Sequence, residues 1–226
     1  MTTEFTACAR RLGMWSAAGI VALSVAYVAT LTTGLLALPS SREPITGPVF
    51  ATLEILILVT VPLYITLMVS VHAWAAPSVK VFSLVAIVFM SMLAAVTSCV
   101  HFVILTLGGH AEFSGPSSQS ILSFRWPSIV YALEILAWDV FFALAVLFAA
   151  AVFAGSRIAK TIRALLVVSG VLALAGLSGV ALDDMRLRNI GIAGYAAVFP
   201  IAALLLAIMF KRAVPSPSAP ASDRTA

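Results

Sequence analysis

Six apolar runs, set apart by short polar punctuation, account for most of this chain: Met14–Leu38, Val49–Ala76, Val81–Gly108, Ile129–Gly155, Ile162–Leu182 and Ile190–Phe210. Each exceeds the roughly 18 residues that read as a membrane-spanning helix. Pro, Gly, Ser or a charge interrupts every gap. The pattern predicts an all-α polytopic membrane protein with six transmembrane helices in one domain, residues 1–212. The tail 213–226 is rich in Pro, Ser and Ala and is expected to be a disordered cytoplasmic segment. The first run is too long for the apolar segment of a signal peptide, about 7–15 residues, and no small-residue cleavage site stands out; it is expected to be a retained helix.

Composition supports this reading. Apolar residues are 62 % of the 226 positions and charged residues 10 %, whereas about a quarter of an ordinary soluble domain is charged. The net charge of +4 is not a nucleic-acid signal, because its distribution follows the spans. With the N-terminus inside, Arg10, Arg11, Lys80, Arg157, Lys160, Arg163, Lys211, Arg212 and Arg224 fall on the cytoplasmic side, and only Arg42, Arg125, Arg186 and Arg188 outside. That asymmetry obeys the positive-inside rule and predicts cytoplasmic termini. The alanine content and charge topology suit a bacterial cytoplasmic membrane. Cys8 and Cys99 fall in the cytosol and inside a helix, so no disulfide framework is implied.

An internal repeat is expected. A shift of 80 positions aligns Leu53-Glu54-Ile55-Leu56 with Leu133-Glu134-Ile135-Leu136, Lys80 with Lys160 and Ser98 with Ser178. Helices two and three (49–108) then correspond to helices four and five (129–188). Because each unit crosses twice, the two would form a parallel repeat. Pro62 and Pro200 each remove a backbone donor and should kink their helices. Ala175 and Gly179 predict a close helix contact. The long connection 109–128 carries Phe113, Ile121, Leu122, Phe124 and Trp126, which either lie on the membrane surface or cap a cavity.

The chemistry is confined to a few polar groups within apolar surroundings. At about 1.5 Å per helical residue, Glu54 and Glu134 lie roughly 7–8 Å below the outer boundary, His101 about 10 Å and Asp139 roughly 14 Å. A charge at the centre of a spanning helix costs about 2.5–3.5 kcal/mol, so such groups face the bundle and pair. Lysine and arginine stay out of the span interiors, leaving His101, hydroxyls, Arg186 and Arg188, or a bound proton as partners. Ser91, Ser98 and His101 fall within about 60° of one another on helix three. Glu134 and Trp138 share a face of helix four, whereas Asp139 points about 140° away.

Glu54, His101, Glu134, Asp139, Ser98 and Trp138 are therefore the candidates for binding a ligand or proton. No catalytic residue can be assigned. The three histidines lack metal-ligand spacing, and nucleotide-binding and hydrolase motifs are absent, so no metal or cofactor is expected. Three readings stay open: a small proton-coupled transporter or solute-binding membrane protein with an outward-opening cavity; an intramembrane acid–base enzyme acting on a lipid or isoprenoid; and a non-catalytic accessory subunit whose acids are latches. The expected partners are membrane lipids, a small-molecule or cation ligand and, for an oligomer, copies of the same chain.

Overall fold

A computed structural model describes residues 5–40, 43–108, 110–113 and 115–214, all helix and connecting turns without a strand. Six helices are long and apolar enough to span a membrane: α1 Ala7–Leu36, α2 Gly47–Trp74, α3 Pro77–Leu107, α4 Ile129–Ala150, α5 Arg157–Ala181 and α6 Arg188–Arg212. The all-α, six-span prediction is met. Most of the tail lies outside the described residues.

Helix boundaries follow local chemistry. Thr6 caps α1, its hydroxyl accepting from Ala9 N at 3.1 Å. Ser128 and Ser156 do the same for α4 and α5, each satisfying a backbone donor that the helix leaves unpaired. Gly155 turns the chain between α4 and α5 at φ 85°, a conformation open to glycine. α1, α5 and α6 start earlier than their apolar runs, taking in Arg10 and Arg11, Arg157 and Lys160, and Arg188. Basic first turns extend the helices beyond the hydrophobic pattern.

Each helix packs on its neighbours in sequence, and α1 closes on α6, making a ring of six. The even-numbered helices fill its centre with aromatic rings. Tyr64 of α2 stacks on Phe199 of α6 at 5.2 Å and meets Trp138 and Phe142 of α4 edge-on. Trp138 also lies 5.0 Å from Tyr195. Such pairs add about 0.5–1.5 kcal/mol each beyond area burial. Close packing of this kind is what holds helices together where lipid offers no hydrophobic contrast.

The two prolines sit in different helical settings. Pro62 lies inside the continuous α-helix α2. Pro200 stands in the first turn of the α-helical part of α6, immediately after a π-helical stretch, Gly194–Val198. Its missing donor thus coincides with a change of hydrogen-bond register. The close contact expected on α5 is made at Gly179, where a Cβ would meet Arg188 N of α6 at 3.0 Å, and also at Gly176, which packs against Gly191; Ala175 is exposed.

The duplication is not confirmed. α2 is one α-helix, whereas α4 contains a π-helical segment at Leu136–Phe142. Position 181, which the 80-residue shift pairs with His101, is an alanine in the last turn of α5.

The two ends of the ring differ in charge. Phe5 stacks on Phe210 and meets Trp74 edge-on, and Arg10 donates to Lys211 O at 3.4 Å. These contacts tie the start of α1 to the ends of α2 and α6. Every described charge at this end is basic: Arg10, Arg11, Lys80, Arg157, Lys160, Arg163, Lys211 and Arg212. All described acids lie towards the opposite end or within the ring.

Candidate functional site

Glu54 stands in the second turn of α2, His101 two turns before the end of α3 and Glu134 in the second turn of α4. Because α3 runs opposite to α2 and α4, these three positions reach a common depth, roughly 8–11 Å from the helix ends at 1.5 Å per residue. The ring then turns them towards one another. His101 Nδ1 lies 2.6 Å from Glu54 Oε2, and Nε2 lies 3.4 Å from Glu134 Oε2. The second contact is within ion-pair range but lacks hydrogen-bond alignment. The residues are 3 %, 2 % and 7 % exposed in the order Glu54, His101, Glu134.

One imidazole therefore bridges two carboxylates from different helical hairpins. Only a doubly protonated ring donates from both nitrogens. Glu134 Oε1 is buried without a protein hydrogen-bond partner. The connection between α3 and α4 covers the site. Phe124 lies 5.4 Å from the His101 ring, and with Leu122 packs on Val100, Ile104 and Val130. Leu122 and Phe124 pack inward on the bundle here, while Ile121 is exposed.

Asp139 belongs to a second cluster. It is fully buried in the π-helical segment and accepts from Arg188 Nε at 3.2 Å. The guanidinium sits 4.6 Å over the Tyr131 ring, a cation–π contact. The other oxygen, Oδ1, has no protein hydrogen-bond partner and faces Gly176 and Gly191. A Cβ on Gly191 would meet it at 2.7 Å, so glycine is what admits the carboxylate. The divergence read from helical periodicity holds: Glu134 turns to α3 and Asp139 to α5 and α6. Arg188, placed outside the spans by the apolar pattern, is 7 % exposed and opens α6.

Ser98 and Trp138 are not at the triad's centre. Ser98 is half-buried, and the inward position one turn from His101 is Thr97, whose hydroxyl is buried without a protein partner. The polar stripe is thus shifted by one residue. Trp138 belongs to the aromatic centre. His72 lies far along α2, its Nδ1 2.8 Å from Ser83 Oγ. Asp183 accepts from Trp126 Nε1 at 3.3 Å, and Asp184 from the Arg186 backbone at 3.0 Å.

Sequence reasoning missed Thr97 and the covering role of Phe124. Thr97 is in the helical repeat with His101, since a spacing of four keeps two residues on one face. Phe124 had no signal, because loop trajectories are not periodic.

Among the described residues, no group of three or more His, Cys, Asp or Glu is arranged to hold a metal ion. At the triad the side chains close on one another and are almost fully buried. A cleft of about 390 Å³ lies at the basic end, lined by Trp74, Ser156, Met209 and Arg212 among others. Comparison with protein-family models, curated proteins and solved structures finds no match.

Proposed function

We propose that this multi-pass membrane protein is a small proton-coupled transporter in which Glu54, His101 and Glu134 hold the coupling proton. The observation that carries the reading is one buried imidazole bridging two buried carboxylates. The triad bears two negative charges with a neutral ring, one with an imidazolium and none after a second proton is taken up. Residual charge in an apolar bundle is costly, so a proton entering or leaving changes the energy of the site sharply. That sensitivity is what a coupled carrier needs. The contributing hairpins, α2–α3 and the start of α4, are joined by the segment bearing Phe124, so movement of that cover would link water access to the state of the site.

The test is proton uptake into liposomes containing the full chain and an internal pH-sensitive dye, with an imposed pH gradient and a panel of candidate solutes. Glu54→Gln and Glu134→Gln are expected to reduce uptake at least tenfold while the protein still purifies as a folded species. Wild-type uptake in both variants, or no uptake by the wild-type chain with any solute, would overturn the reading. A latch role predicts the opposite division, with lower thermal stability and no flux to lose.

A further inference from the structure

The cleft at the basic end lies apart from the triad and takes no part in its chemistry. Its walls come from the end of α2, the turn between α4 and α5, and the end of α6. Trp74, Ile158, Met209 and three alanines form most of the lining; Ser156 and Arg212 are its polar members. The Ser156 hydroxyl already accepts from Ala159 N, at 3.3 Å. That leaves Arg212 as the charged group facing the space. Arg212 stands beside Lys211, whose carbonyl accepts from Arg10 at 3.4 Å. The end of the ring on which the cleft lies carries eight described cations and, among the described residues, no acid.

This lining selects a class of ligand. A small inorganic anion requires several convergent donors to replace its hydration, and here one guanidinium faces a predominantly apolar space. Among the described residues, the lining offers a cationic ligand an arginine and no carboxylate. A ligand with one anionic group on an apolar body suits both features. It also suits the position, since Trp74 and the arginines mark the depth at which interfacial aromatic and basic side chains meet lipid headgroups.

We propose that the cleft is a binding site for an anionic phospholipid, with Arg212 on the phosphate and Trp74, Ile158 and Met209 against the glycerol and upper acyl chains. The partner is a lipid of the surrounding membrane rather than a soluble phosphate.

The experiment is native mass spectrometry of the full chain in mild detergent, titrated with phosphatidylglycerol or with phosphatidylcholine. Phosphatidylglycerol is expected to remain bound to the wild-type chain and phosphatidylcholine to be lost. Arg212→Gln should weaken phosphatidylglycerol binding about fivefold, the loss expected for one basic residue near the headgroups, and Arg212→Lys should restore most of it. Arg163→Gln removes a charge at the same end but outside the cleft lining, and should leave binding within twofold of wild type. Equal losses from Arg163→Gln and Arg212→Gln would mean diffuse attraction and overturn the site. Competition by millimolar inorganic phosphate would overturn the lipid assignment. Equal retention of both lipids would overturn the role of charge. Gel filtration of each variant separates loss of binding from loss of fold. Neither lipid readout depends on Glu54 or Glu134, so the two proposals stand or fall separately.

Discussion

Helix α4 carries two buried acids five residues apart, and their surroundings treat them in opposite ways. Asp139 meets a permanent cation, Arg188, which itself lies over Tyr131. Glu134 meets His101, a base whose charge can change, and His101 is shared with Glu54. The first cluster is close to charge balance in a single protonation state. The second has one acid too many for its base. Arginine stays protonated in proteins, so the Asp139 cluster is suited to fixing α4 against α6. The Glu54–His101–Glu134 cluster is suited to changing state. Burial of charge alone does not mark a functional site; what separates the two is whether the partner's charge can vary.

The largest effect should come from breaking the matched pair. Asp139→Asn leaves Arg188 buried without a counter-charge, a change that costs about 3–5 kcal/mol in comparable pairs. Thermal unfolding in detergent should show that loss, and the double variant Asp139→Leu with Arg188→Met should regain much of it. If the single variant unfolds at the wild-type temperature, Asp139 and Arg188 do not fasten the bundle.

Next comes the glycine slot that admits Asp139. Gly191→Ala places a Cβ 2.7 Å from Asp139 Oδ1 and 3.1 Å from Gly176 Cα. Overpacking of this sort costs about 1–3 kcal/mol, readable by the same unfolding measurement. Gly47→Ala, whose Cβ meets nothing within 4 Å but whose φ is 65°, provides the control for conformational strain without crowding.

The triad should behave differently. Glu54→Gln keeps the shape and an acceptor for the His101 ring, and is expected to lower stability by about 1 kcal/mol, near the net worth of one hydrogen bond. Proton uptake should fall far more steeply than stability. A stability loss as large as that of Asp139→Asn would erase the distinction between the clusters.

The smallest effects belong to the neighbouring hydroxyls. Thr97→Val replaces a buried hydroxyl without a protein partner by a group of similar shape, and should be neutral or slightly stabilising. Ser98→Ala, at a half-buried position, should fall within about 0.5 kcal/mol of wild type. A marked loss of proton uptake in Ser98→Ala with Thr97→Val unaffected would restore the face originally read from the sequence.

These differences also show where the sequence ceases to be informative. The periodicity of α3 located His101 but placed the stripe on Ser98 instead of Thr97, because a polar side chain facing its neighbours at the margin of a helix looks the same in sequence as one facing the centre. The apolar run of α6 left Arg188 outside, since hydropathy scores a long cationic side chain as a boundary even when it folds back onto an acid.

The number of spans, the segregation of basic residues to alternate connections and the similar depth of Glu54, His101 and Glu134 were settled by the chain itself. Each follows from hydropathy and the fixed rise of a helix, which are local properties of successive residues. Which faces meet, that Tyr64, Trp138, Phe142, Tyr195 and Phe199 fill one centre, and that Glu134 and Asp139 find different partners were decided only by the closure of the ring. Contact depends on helix rotation and on π-helical offsets, and those are fixed by packing between segments far apart in sequence.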